Sequence, residues 1–357
     1  MPTGVTTDRI AHLPPVLRGA PGLGAVAARG QRYYGTAVTL SHLHDSPAYS
    51  LAVASEAMVV TTEGDLQWKY MEQVPGGVDY SRVDELVAFA TANDMSVRGH
   101  ALLWPASPPL WLSTQLRRAN ADSVLRRRIV TTMSRYAGRI RSWDVVNEAI
   151  EPQDGRPDGL RKTVWIDSLG PDYIARAFRI AHQMDPKAQL VLNEYMLEID
   201  SPQGEARRVA MLNLLRNLTR AGVPINALGI QLHTNPLDHI DEEKLRRFLN
   251  DVSSLGLSVI VTELDVWDFG LPGDIPWRDA IVAAAYRRAL RPFLSHPAVE
   301  GVITWGISDK YSWLDRGLKR ADGMPFRGLL LDTVFARKES WAAVADEFAR
   351  STQSRKR

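Results

Sequence analysis

Cysteine is absent from all 357 residues. That excludes disulfides, zinc–thiolate centres and thiol nucleophiles, and leaves the redox compartment open. Long apolar runs are missing too. No stretch of about 18 apolar residues occurs, so no membrane-spanning helix is expected. A surplus of one charge is also lacking. A formal net charge of +2, from 43 basic and 41 acidic residues, gives no reason to expect a nucleic acid partner. Met1 to Arg29 hold no apolar core long enough for a signal peptide. What remains is a globular mix, 45% hydrophobic and 24% charged, long enough for one large barrel or two ordinary domains. Tryptophan is plentiful. Core packing is the plain explanation, and platforms for sugar rings are the alternative.

Residues 1–30 are rich in Pro, Gly and Ala without a clear period, which predicts a partly irregular N-terminal leader. From 31 to 357, strand-like runs alternate with helical patterns. Strands are expected at Tyr33–Val38, Ala57–Thr61, Ser96–Leu103, Ser142–Val146, Gln189–Leu192, Ala227–Leu232, Ser258–Thr262 and Gly301–Trp305. Helical stretches lie around Ala48–Ala54, Ser81–Asn93, Asp122–Gly138, Asp172–Met184, Gln203–Ala221, Glu242–Leu255 and Trp277–Leu294, with a last one near Ser340–Ala349. Repeated β-then-α units predict an α/β chain folded as a single-domain (β/α)8 TIM barrel. A doubly wound open sheet is the runner-up, but no glycine-rich phosphate fingerprint follows the first strand.

Two of these strands end alike. Trp143–Val146 runs into Asn147 and Glu148; Leu257–Thr262 runs into Glu263, with Asp265 close behind. A carboxylate at the end of a buried strand is costly unless it is paired or has work to do. One such residue could merely open a loop, whereas two suggest a pair at one rim. Glu148 ends the fourth strand and Glu263 the seventh, across the mouth on the face where barrels carry active sites. Paired carboxylates without evident metal-ligand spacing suit glycoside hydrolysis. One protonates the leaving oxygen; the other attacks the anomeric carbon or activates water. The residues alone do not say which is the acid.

A series of landmarks surrounds this pair: Gly35-Thr-Ala37, Glu63 with Trp68, Gly99-His-Ala-Leu-Leu-Trp104, Trp143-Asp-Val-Val-Asn-Glu148, Leu192-Asn-Glu-Tyr195, Gly229-Ile-Gln-Leu-His233, Val261-Thr-Glu-Leu-Asp265, Trp305-Gly-Ile-Ser-Asp-Lys-Tyr-Ser-Trp313 and Gly328-Leu-Leu-Leu-Asp332. In this order and spacing the chain resembles glycoside hydrolase family 10, the retaining β-1,4-xylanases, from about Gly35 to Trp341. The resemblance implies that Glu148 is the general acid/base and Glu263 the nucleophile. It implies that His233 and Asp265 hold the nucleophile ionised and oriented, with Gln231 beside them, and that Asn147 binds a sugar 2-hydroxyl. It implies aromatic walls at Trp305 and Trp313, and a substrate-contacting Glu63 supported by Trp68. Trp104, Asn193 and Tyr195 lie within its landmarks and join Gln67 and His44 as expected substrate contacts. A β-linked polysaccharide or oligosaccharide is the implied partner. No cofactor, metal, nucleic acid or membrane is expected, a monomer is, and the family suggests a secreted or periplasmic location. The chemistry asks that Glu263 stay charged and that Glu148 hold a proton.

The chain departs from the family pattern on one side of the cleft. Glu-Asn-x-x-Lys-Trp after the second strand reads Glu63-Gly-Asp-Leu-Gln67-Trp68 here, and Trp-His after the third reads Trp104-Pro105. In the family the replaced Asn, Lys and His hydrogen-bond the sugars just before the scissile bond. Live catalysis on an altered glycone is therefore expected: a hexose, a decorated sugar or another β-linked polymer. Ser41-His-Leu-His-Asp45 is read as a loop whose histidines meet sugar hydroxyls or solvent. A metal-dependent hydrolase built on His42 and His44 is the lesser alternative, since no second-metal set is evident at later strand ends. A glycan-binding barrel without turnover is another, and the joint presence of Glu148, Glu263, Asn147, His233 and Asp265 argues against it. Arg117, Arg118 and the basic run 126–128 are expected on the solvated face of a helix and its lead-in.

Overall fold

In the computed structural model, which describes residues 21–355, eight parallel strands close into a barrel. They are β1 (Tyr33–Val38), β2 (Val59–Thr62), β3 (Ser96–Gly99), β4 (Ile140–Asn147), β5 (Gln189–Glu194), β6 (Ala227–Ile230), β7 (Ser258–Val266) and β8 (Val299–Thr304). Neighbours in sequence are neighbours in the sheet, and β8 returns to β1 with Tyr33 opposite Gly301. A two-residue segment, His233–Thr234, lies along the end of β7 with His233 opposite Asp265. Every expected strand forms. The third is shorter than its apolar run, stopping at Gly99; a cis peptide then joins His100 to Ala101, and Leu103 makes an isolated bridge to Val146.

Strand alternation sorts the side chains into two cores. Tyr33, Val59, Val191, Ala227, Ile260 and Ile303 form a small cluster of their own. Their strand neighbours Tyr34, Val60, Leu192, Leu228, Val261 and Val302 belong to the large core under the helices. The small cluster is thus the barrel's lower interior, with side chains two apart pointing the same way. One step further along the same inward rows stand two polar side chains, Asn193 beyond Val191 and Thr262 beyond Ile260, and Gly229 beyond Ala227 leaves room for Asn193. Glycine is required at two inward positions of the barrel. A Cβ at Gly301 would lie 2.4 Å from the Tyr33 ring, and one at Gly229 would lie 2.2 Å from Asn193 Oδ1. The barrel is apolar below and polar above, so the polar groups cluster at the C-terminal mouth.

The outer helices bury one face each. In the helix Tyr173–Met184, for example, Ile174, Ala177, Phe178 and Ala181 are buried. Several start on side-chain caps, such as Ser201 accepting from the Gly204 N–H and Asp274 from the Trp277 N–H.

One reading of the sequence gains detail here and two change. Within the leader 1–30, residues 1–20 lie outside the described residues, but Leu23–Ala28 is a helix. Its Leu23, Val26 and Ala27 are buried, a helical spacing that a short Gly- and Ala-rich segment conceals. The His42 and His44 segment is the helix Leu40–Asp45, anchored by buried Leu40 and Leu43. Arg128 is not on a solvated face. It is buried in the helix Ala121–Tyr136 and donates to the carbonyls of Leu66, Ala101 and Leu102, and burial lowers its pKa to about 10.

Candidate active site

Glu263 and Glu148 rise from β7 and from the end of β4 into this polar layer. Glu263 is buried, and its surroundings supply donors. Asn193 Nδ2 donates to Oε1 at 2.6 Å, and His233 Nε2 lies 3.3 Å from Oε2. His233 is fixed by Asp265, 2.8 Å from Nδ1, and Asp265 also accepts from the indoles of Trp267 (3.0 Å) and Trp313 (2.6 Å). His100 stands on the other side, 3.8 Å from Glu263 Oε1, with its Nδ1 2.8 Å from Asp144, which is in turn paired with buried Arg98. Burial pushes the Glu263 carboxyl up, but His100, His233 and Arg98 outweigh it and hold it below its ordinary value. Burial pulls His233 down, but Asp265 and Glu263 raise it well above its usual range. His100 is likewise lowered by burial and raised more by Glu263 and Asp144.

Glu148 sits in the left-handed backbone region at φ 56°, an uncommon conformation for a non-glycine and one that cores tolerate mainly at functional sites. Its N–H donates to the Asn193 carbonyl and its own carbonyl accepts from Arg161 Nε at 2.8 Å, which pins the turn. Three donors meet its carboxylate: Trp104 Nε1 (2.8 Å), Gln231 Nε2 (3.2 Å) and Asn147 Nδ2 (3.3 Å). Asn147 Oδ1 accepts from both Asn193 and Gln231, so one amide chain ties the two carboxylates together.

Several expected residues thus converge: Glu148, Glu263, His233, Asp265, Asn147, Trp104 and Trp313. Trp305 joins as a mostly buried wall, its ring 5.0 Å edge-on from His100. Gln231 is near the nucleophile, as expected, but donates to Glu148 rather than Glu263. Asn193 is fully buried beneath both carboxylates, so it cannot touch sugar as expected; its amide, held by Thr262 Oγ1 at 2.7 Å, orients Glu263 and Asn147. Tyr195 lies to one side of Glu148, in a network with Glu151, Arg161 and Arg207. Beside it, buried Glu194 has a pKa of about 8, raised by burial and by the charge of Glu148. His44 is not brought to the cluster: its Nε2 is 2.5 Å from Glu85, on the helix Ser81–Ala92, and both are exposed. His42 stacks on Tyr311. Among the described residues, the group with ligand atoms close enough for a metal is His100, Asp144 and Glu263, not the His42 and His44 pair. Within that group Asp144 is already paired with Arg98.

The rim after β2 differs from expectation in its contacts. Both Glu63 oxygens are occupied, one by Thr39 Oγ1 (3.1 Å) and one by the Arg316 guanidinium. Burial raises the Glu63 pKa, with Arg316 acting against it. Gln67 donates to the Glu63 carbonyl at 3.0 Å. Trp68 packs in the core between Trp111 and Trp165 and donates to Glu72.

Comparison with known proteins agrees with this geometry. The model of glycosyl hydrolase family 10 matches residues 22–347. The chain belongs to that family. It is 32% identical over 275 residues to endo-1,4-beta-xylanase B of Thermotoga neapolitana, covering 76% of each chain. The native xylanase 10B of Thermotoga maritima superimposes with a TM-score of 0.84 at 29% identity, over 94% of this chain and all of that one. An exoglucanase of Acetivibrio thermocellus is 29% identical over 328 residues, 87% of this chain but only 28% of that longer protein. As a family 10 member the chain is a retaining glycoside hydrolase with a xylanase-like barrel. The residues that sequence reading missed are Arg98, Asp144, Thr262 and Trp267. Arg98 and Asp144 did carry a signal, since each is a charge in the middle of an apolar strand.

Proposed function

We propose that this enzyme cleaves a β-linked polysaccharide or oligosaccharide by double displacement, and that its glycone subsite is shaped for something other than plain xylan. Glu263 acts as nucleophile and Glu148 as acid, then base. The observation that carries the reaction is the set of groups around Glu263, which hold a buried carboxylate ionised as a nucleophile must be. Glu263 attacks the anomeric carbon while Glu148 passes its proton to the departing oxygen. A water then gives its proton to Glu148 and its oxygen to the anomeric carbon, and the Glu263 ester bond breaks. Asn147, bonded to Glu148 and to Asn193, is the group we assign to the sugar 2-hydroxyl.

The altered glycone rests on the rim after β2. Gly64 leaves space: an added Cβ would meet nothing nearer than Tyr70 at 4.0 Å. The Gln67 amide is spent on the Glu63 backbone, and Glu63 itself is engaged by Arg316. Three missing polar contacts of about 1 kcal/mol each amount to about two orders of magnitude in kcat/KM on linear xylan. An ordinary endo-β-1,4-xylanase is the second reading, favoured by the names of the similar proteins. The test compares kcat/KM on linear xylo-oligosaccharides with gluco-configured and branched β-oligosaccharides. Xylanase-level rates on the linear series would refute the altered glycone. The triple change Gly64→Asn, Gln67→Lys, Pro105→His should raise activity on the xylo-series and lower it on the preferred substrate.

A further inference from the structure

Two cations border this rim, and neither belongs to the reaction described above. Arg316, on the short helix Leu314–Gly317 after Trp313, reaches across the mouth to Glu63, 253 residues earlier in the chain. Its side chain is about half exposed, and a guanidinium has five N–H donors, so one contact with Glu63 leaves most of them free for a ligand. Lys69, in the helix Trp68–Met71, is half-buried. Its ammonium lies 4.8 Å from the Tyr70 ring centroid and 5.7 Å from that of Trp104, the indole that donates to Glu148. Among the described residues no carboxylate lies within ion-pair distance of it. Gly64 follows Glu63 on the same rim, and a Cβ added there would meet only Tyr70, at 4.0 Å.

A half-buried ammonium held on aromatic faces without a counter-ion costs desolvation energy that a neutral residue would avoid. An arginine that satisfies Glu63 also takes away the acceptor a neutral sugar hydroxyl would use, and puts donors in its place. With Glu63 occupied, Arg316 and Lys69 are the charged donors that this rim still offers a ligand, and they suit an anion.

Resting on the reading of an altered glycone, we infer that this subsite takes a sugar bearing a carboxylate. The substrate is a β-linked glycan with a uronic acid at, or branching from, the sugar before the scissile bond. Arg316 and Lys69 are its specificity-determining residues. The guanidinium is a fork that matches a carboxylate through two parallel N–H donors, and Lys69 adds a point charge from the Trp104 side.

The test measures kcat/KM on a uronic-acid-branched β-1,4-xylo-oligosaccharide, its linear parent, a neutral arabinose-branched analogue and a gluco-configured oligosaccharide. The wild type should favour the acidic substrate over its linear parent by about tenfold to a hundredfold, as a charge-assisted contact or two would give. In Lys69→Met and in Arg316→Gln this ratio should fall at least about fivefold, while Lys69→Arg should keep it. Added salt should shrink it, since the pair is partly exposed. A ratio unchanged in both variants overturns the assignment. A wild type that prefers the neutral branched or gluco-configured substrate overturns the acidic sugar while sparing the altered glycone. A wild type that prefers the linear parent overturns both.

Discussion

Asn193→Ala separates two roles that the sequence could not distinguish. As a substrate contact, Asn193 would contribute to binding. As a buried strut, it acts through Glu263 and Asn147. Its Nδ2 donates to Glu263 at 2.6 Å and to Asn147 at 2.8 Å, and its Oδ1 accepts from Thr262 at 2.7 Å. Truncation to Ala removes all three bonds and leaves Thr262 without its acceptor. A hydrogen bond to an ionised group contributes about 1.5–3 kcal/mol and a neutral one about 1 kcal/mol. The fold should therefore lose about 3.5–5 kcal/mol, seen as a lower melting temperature. The bond to Glu263 favours its charged form, so its loss raises the carboxyl's pKa and misplaces the nucleophile. We expect kcat to fall about 10- to 100-fold, KM to move less than about threefold, and the acid limb of the kcat/KM profile to shift to higher pH. Steady-state kinetics on an activated aryl glycoside from pH 4 to 9 reads all three. If KM instead rose tenfold with kcat intact, Asn193 would be a sugar contact and the strut argument would fail.

Glu148→Ala should lose most activity on natural glycans yet still form the glycosyl-enzyme from aryl glycosides whose leaving group needs no proton. Added azide should then restore turnover and release a β-azide; near wild-type hydrolysis of an unactivated glycan by this variant would remove Glu148 from the mechanism. Glu194 keeps its proton in the folded state up to about pH 8 but loses it when unfolded near the ordinary carboxylate value. Its contribution is therefore full below about pH 4 and declines as pH rises to about 8, so the melting-temperature advantage of Glu194→Gln over wild type should grow between pH 5 and 8; a difference independent of pH would contradict this. Gly229→Ala drives a Cβ to 2.2 Å from Asn193 Oδ1 and should cost about 1–3 kcal/mol of stability, with kcat reduced through Asn193; an unchanged melting temperature would show that the floor yields.

What was legible in the sequence follows from where the constraint sits. The strands were readable because runs such as Val259–Val261 must be apolar on both faces, and the two glutamates were readable because each breaks such a run at its end. Strand limits were less so: Ser96–Leu103 is uniformly buried past Gly99, but ladder pairing stops there, and apolar character alone does not record pairing. Contacts across the barrel were not legible at all. Gln231 lies two residues from His233 yet points to Glu148, because the chain has left the strand at Ile230 and Leu232 between them takes a left-handed φ of 63°, which breaks the alternation. Asn193 reads as a polar residue near a mouth, and only its full burial against Glu263 and Asn147 shows it to be part of the floor. The histidines of Leu40–Asp45 looked available because sequence cannot reveal that Glu85 and Tyr311 already hold them.

The charges of the floor link the two halves of the proposed reaction. Arg98, His100 and His233 face Asp144, Glu263 and Asp265 within one buried network. Attack on the sugar would turn Glu263 into a neutral ester, and its partners would lose the charge they face. His233 and His100 would feel this first, because each is raised in part by the charge of Glu263. Glu148 is tied to the same network through two amides, Asn147 and Asn193, so the two carboxylates share one set of hydrogen bonds across both halves of the reaction.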